Sequence, residues 1–161
     1  MILGGARVAL GPDEAAELDV EIRAGKIAAL TRPRRSRRPD LDLRGYLLLP
    51  GLINAHDHLE FALFPRLGSG PYANASAWAR DIYRPKQSPV AEHLRVPKSL
   101  RLIWGGLRNL LSGVTTVCHH NPPHAVFERD FPIRVVKRFG WAHSLEFSPD
   151  LAQRFRRTPR R

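Results

Sequence analysis

PGLINAHDHLEF, residues 50–61, decides how the rest of the chain is read. A Pro-Gly turn feeds the apolar run Leu52-Ile53, which ends in His56 and His58 with Asp57 between them. Residues i and i+2 of a strand project from one face, so the two imidazoles stand together while Asp57 points away. A pair of ring nitrogens at the end of a buried strand suits zinc, iron or a similar transition metal; magnesium and calcium prefer oxygen. Spacing alone does not decide for a metal, because two histidines one residue apart are common.

The flanks give the pair its setting. Upstream, residues 1–50 read as a small antiparallel β unit. Ala6 to Leu10 is a strand candidate, LDVEIRAGKIAAL predicts a hairpin turning at Ala24-Gly25, and LDLRGYLLLPG predicts a further strand. Such a unit has no helix to cover it and needs something to pack on. Downstream, LINAH is a short strand, followed by about forty residues rich in Gly, Pro, Ser and Asn with a helical turn or two near Ala75 to Tyr83. A connection of that length suggests a lid over a site. Leu100, Ile103, Trp104, Leu107, Leu110 and Leu111 then recur at helical spacing, predicting a helix from Ser99 to Ser112 that stops at Gly113. VTTVCHH is a β-branched strand, PIRVVKRF is strand or helix, and GWAHSLEF reads as the third strand. The order β, α, β begins a parallel α/β architecture.

Composition bounds the class. A chain of 161 residues, 43% hydrophobic and 25% charged, is globular and long enough to bury a core. No apolar run reaches the length of a membrane span, and no secretory signal is evident at the start, so a cytoplasmic location is expected. Cys118, the single cysteine, reads as a buried apolar residue. Nearly all of the net charge of +11 lies in two clusters, Arg32, Arg34, Arg35, Arg37 and Arg38, and Arg154, Arg156, Arg157, Arg160 and Arg161. Neither interleaves the aromatic residues of a single-strand binder, so they read as a solvated loop and a frayed basic tail, with nucleic acid disfavoured as a partner.

The phrase YLLLPGLINAHDHLE resembles the signature of the amidohydrolase superfamily, in which a Pro-Gly-Leu stretch leads to a His-x-His pair. GGLRNLLSGVTTVCHH is similar to that family's first helix and second barrel strand, and the likeness is strongest to the cytosine deaminase and triazine chlorohydrolase branch. The resemblance implies an α/β fold: the N-terminal half of a small β-sandwich over 1–50, then the first three or so strands of an incomplete (β/α)8 TIM-type barrel over 51–150, with the basic tail at 151–161. It implies that His56 and His58 ligate a divalent transition metal, zinc or iron, at a site that is incomplete here, since the family takes further ligands from later strands. The implied chemistry is hydrolysis of non-peptide carbon–nitrogen bonds, as in a deaminase or amidase, with the metal lowering the pKa of bound water.

The expectation is therefore an N-terminal portion of such a hydrolase, inactive alone, whose partners are a small-molecule substrate in the intact enzyme and a C-terminal half or a second copy. The alternative is a non-catalytic remnant that assembles with a separately encoded C-terminal half. Exposed strand edges would then make the chain prone to association. His119, His120 and His124 follow the second strand. His119 or His120 could offer a third ligand, although lining a pocket is the plainer reading. His93 reads as a surface residue and His143 lies in the third strand. Glu60 and Asp57 either orient an imidazole from behind or are ordinary strand-end carboxylates.

Overall fold

The computed structural model describes residues 1–34, 38–140, 142 and 148–157. The chain divides into two compact units, Met1–Pro50 and Gly51–Arg161. Together they are mixed α/β, and no helix among the described residues is long and apolar enough to cross a membrane.

The first unit is a small sheet. Strands β1 (Ile2–Ala9), β2 (Ala15–Arg23) and β3 (Lys26–Thr31) form an antiparallel meander. Ala24 and Gly25 both take positive φ, 48° and 71°, as a two-residue turn whose twist matches the flanking strands requires. A bulge at Gly4-Gly5 bends β1, and the buried Asp19 carboxylate accepts from the Gly5 N–H at 2.9 Å. Ala6, Val8 and Val20 make the core, with Leu3, Leu18, Ile22, Leu43 and Leu48 against it.

The expected single strand over LDLRGYLLLPG is instead two short ones, β4 (Leu41–Asp42) and β5 (Leu47–Leu48). Both run parallel to β1, so the unit is not purely antiparallel. A turn breaks them: the Tyr46 N–H donates to the Leu43 carbonyl at 3.0 Å, and Gly45 takes φ +83°. Arg44 folds back onto Asp42, holding that carboxyl down at about 2 through the guanidinium hydrogen bonds.

The second unit is built on a parallel sheet of β6 (Leu52–Asp57), β7 (Val114–His119) and β8 (Arg134–Val135), in that order. Between β6 and β7 come a 3-10 turn at Leu59–Phe61 and the helices α1 (Ala75–Ile82), α2 (Val90–Arg95) and α3 (Lys98–Leu111). Asn74 caps α1, its side chain accepting from the Ala77 N–H. Gly113, at φ +79°, ends α3 and turns the chain into β7. The third parallel strand falls within PIRVVKRF, while most of GWAHSLEF, including His143, lies outside the described residues. The stretch read as a frayed tail contains α4 (Leu151–Arg157).

Two apolar surfaces of this unit stay open. Among the described residues only β7 pairs with β6, which leaves β6 at the sheet edge with Leu52 and Ile53 exposed, Ile53 by 71%. Helix α3 turns Leu102, Gly105, Gly106 and Asn109 inward and leaves Leu100, Trp104, Leu107, Leu110 and Leu111 open, Leu111 by 83%. The inward glycines let the helix lie directly on the turn after His58: a Cβ at Gly105 would sit 2.8 Å from the Leu59 Cα. Gly106 makes the same allowance for Phe131. Leu59, Leu102, Val117, Phe127 and Ile133 fill the core beneath.

Candidate metal centre

His56 and His58 come together at the end of β6. Their Nε2 atoms lie 3.3 Å apart, with the rings edge to face. Two nitrogens held about 2.0–2.1 Å from one tetrahedral ion are themselves about 3.3 Å apart, so the pair already has the spacing of two ligands on one metal. The donor set is imidazole, which fits zinc, iron, nickel or copper.

A local network shapes this end of the strand. The register slips between Asn54 and Asp57, and the Asn54 side-chain oxygen accepts from the His56 N–H at 3.2 Å. The Asp57 carboxylate receives Asn54 at 3.0 Å and Asn109 of α3 at 2.7 Å, while Asn54 also donates to the Asn109 oxygen at 3.0 Å. Asp57 therefore faces away from the imidazoles and fixes the peptide between them. Sequence reasoning missed Asn54 and Asn109, although the Asn in LINAHDH is visible; Asn109, more than fifty residues away, gives no local signal.

The other histidines separate. His120, at the C-terminal end of β7, joins the pair: one ring nitrogen from each of His56, His58 and His120 lies within 4.8 Å of the others, and its ring stacks on His56 with centroids 4.0 Å apart. Its backbone N–H donates to the Asp57 carbonyl at 2.7 Å. His119 is buried on the opposite side, Nε2 3.5 Å from Glu60 and its ring against Phe127. His124 turns back to accept from the Val126 N–H. His93 is half-buried rather than a surface residue, its Nδ1 2.7 Å from the Pro89 carbonyl and its ring against Phe64. Cys118 is likewise half-buried, because β7 turns its neighbours Val117 and His119 into the core.

Glu60 is buried behind the turn, between His119 and Lys98, the latter at 3.4 Å. Burial pushes its carboxyl up, but hydrogen bonds from Asn121 and the backbone, with the charges around it, hold it below the ordinary 4.5. Burial in turn depresses His119 below 6.5 against the pull of Glu60, so the imidazole is held toward its neutral form. Glu60 therefore braces His119 and the turn.

A cleft of about 1170 Å³ opens beside the pair. Phe61, Phe64, Trp78 and Tyr83 line it along with His56 and His58, and Arg108 stands at its wall. A mostly apolar cleft with a few convergent polar groups is the ordinary form of a small-molecule site.

These features define a class: a parallel α/β unit carrying a strand-end histidine cluster able to hold a transition metal. Over 55 residues the chain is 40% identical to imidazolonepropionase of Thermoplasma volcanium, a match covering 30% of this chain and 14% of that protein. No family model matches the chain.

Proposed function

We propose that this chain contributes the first metal ligands of an amidohydrolase-type enzyme, a metal-dependent hydrolase of non-peptide carbon–nitrogen bonds. The observation that carries the reading is the 3.3 Å separation of the His56 and His58 Nε2 atoms at the C-terminal end of a parallel strand, where α/β barrels place their chemistry. The imidazolonepropionase likeness points to the same superfamily. On this reading the three parallel strands are the opening of a (β/α)8 barrel and Met1–Pro50 is part of the accompanying sandwich.

His56 and His58 would hold the ion, zinc or iron, which when bound supplies Lewis acidity and brings the pKa of water towards neutrality. The residues of the chain do the rest of what is assigned to it. Asn54, Asp57 and Asn109 keep the two imidazoles converged, and the aromatic wall of the cleft shelters a small substrate from water. Because the match spans 14% of the relative, turnover belongs to the whole enzyme, and the resemblance implies further ligands on later strands.

The test is metal stoichiometry on the purified chain, with ammonia release followed for amidines and amino-heterocycles and ring opening for cyclic amides. One equivalent of zinc or iron, lost in His56→Ala and His58→Ala, is the expected result, with no turnover of cyclic amides, amidines or amino-heterocycles. A chain that takes up no metal overturns the reading. Turnover abolished by His56→Ala would instead show that the chain is a sufficient catalyst.

A second reading, assembly with a separately encoded C-terminal half, draws on the bare β6 edge and the open apolar face of α3. Co-purification of such a half from the source cells would favour it.

A further inference from the structure

Resting on the metal reading above, we infer that His120 is a third ligand, so that this chain binds a divalent transition metal through three histidines of its own, with the fourth position open. The amidohydrolase resemblance assigns it no such role. The case is geometric. The parallel pairing of β6 with β7 brings the end of the second strand level with the end of the first, Asp57 opposite His119. Strand alternation then divides the two adjacent histidines, His119 into the core and His120 towards His56 and His58. The hydrogen bond from the His120 N–H to the Asp57 carbonyl ties its backbone to the residue between the two ligands.

The distances set the size of the adjustment needed. Nitrogens on one tetrahedral ion at zinc-like bond lengths are about 3.3 Å apart. The three nitrogens lie within 4.8 Å of one another, so side-chain rotations that draw the outlying nitrogen in by up to about 1.5 Å close the set. Both adjacent strands are bonded backbone to backbone at this point, and only side-chain torsions have to change. Three neutral imidazoles with one position left free form the arrangement of a catalytic zinc site rather than of a closed structural one.

Cobalt(II) is the probe, because its visible absorption reports coordination number without any assay of activity. The intact 161-residue chain is titrated with Co²⁺, and Zn²⁺ is measured by competition. The expected result is one tight equivalent with the intense visible bands of a four- or five-coordinate ion. In His120→Ala the affinity should fall at least about 100-fold, since loss even of groups that only support a ligand costs 10–100-fold. His124→Ala, whose imidazole only caps a turn, should bind as the parent does. His120→Cys exchanges one ligand for another; it should restore tight binding and add a thiolate-to-cobalt charge-transfer band in the near ultraviolet, which no structural role for His120 would produce.

Parent-like affinity in His120→Ala, with loss in His56→Ala, overturns the assignment of His120 and leaves the His56–His58 reading standing. Parent-like affinity in both brings down that reading as well. Weak binding in His120→Ala that His120→Cys neither restores nor marks with the charge-transfer band also overturns the assignment.

Discussion

His119 and His120 are consecutive in the chain and serve opposite sides of the sheet. His119 Nε2 lies 3.5 Å from the buried Glu60 carboxylate, and the His120 ring stacks on His56 at 4.0 Å. The end of β7 is thus anchored by one imidazole and places the next one in the cluster with His56 and His58. The anchor consists of Glu60, His119, Lys98 and the buried Arg101, whose guanidinium donates to the Glu60 and Val96 carbonyls. These groups pin the first turns of α3 to the turn after His58.

Glu60→Gln should test that anchor. The amide keeps the shape but removes the charge that Lys98 and His119 face, and a buried polar group left poorly partnered costs about 1–3 kcal/mol. The urea midpoint should fall accordingly, and the His119 pKa should drop further once the carboxylate that raises it is gone. The sign with pH follows from the depressed Glu60 carboxyl: the unfolded chain takes up a proton there first, so its stability contribution is whole above 4.5 and is lost as pH falls below that. The acid limb of the stability curve should therefore be flatter in Glu60→Gln than in the parent. Identical limbs would remove Glu60 from the account.

Asn109→Ala should loosen the ligand pair without touching it. Asn109 donates to Asp57 at 2.7 Å and to the Gly105 carbonyl at 2.9 Å, and accepts from Asn54. Its loss leaves the Asp57 carboxylate with one donor fewer and frees the peptide between His56 and His58. Groups that orient ligands in this way are worth 10–100-fold in metal affinity, so about a tenfold weaker Co²⁺ constant is expected with one equivalent still bound. An unchanged constant would mean that the backbone of β6 holds the pair unaided.

Much of this arrangement was legible from local pattern. The turn at Ala24-Gly25, the helix ending at Gly113, the strands over LINAH and VTTVCHH and the convergence of His56 with His58 all rest on contacts a few residues long. What the sequence concealed depends on partners far along the chain. The apolar periodicity of α3 marked a helix but not which side packs, because Gly105 and Gly106 add nothing to a hydrophobic pattern while permitting the closest approach. The split of LDLRGYLLLPG turned on one glycine at positive φ. The separation of His119 from His120 needed the register of β7 against β6, which strand alternation alone does not supply.

Gly105→Ala should show what that close approach is worth. The added methyl would lie 2.8 Å from the Leu59 Cα and nearer still to its carbonyl oxygen, both backbone atoms that cannot rotate aside. Overpacking of this kind costs about 1–3 kcal/mol and occasionally more. Since Leu59 follows His58 directly, the strain should reach the metal pair, and Co²⁺ affinity should fall along with the melting temperature. A stable variant with parent-like affinity would show that α3 can ride up on the turn without moving His58.

The outward face of α3 carries the last expectation. Leu100, Trp104, Leu107, Leu110 and Leu111 are exposed on it, and Leu52 and Ile53 are exposed on the bare β6 edge. Exposed apolar area of this extent is uncommon on a monomer and drives association when nothing covers it. The parent chain should therefore sediment as oligomers at micromolar concentration. Leu107→Glu with Leu111→Glu should shift it towards monomer, because two charges on adjacent turns repel any second apolar face while leaving the inward Leu102, Gly105 and Asn109 untouched. Co²⁺ affinity should stay at the parent value, since neither leucine contributes to the ligand pair. If the double variant still associates, the contact runs through the β6 edge instead, where unpaired backbone groups invite another strand. A parent chain that sediments as a clean monomer would show that the α3 face and the β6 edge, open as they are, do not suffice to drive association.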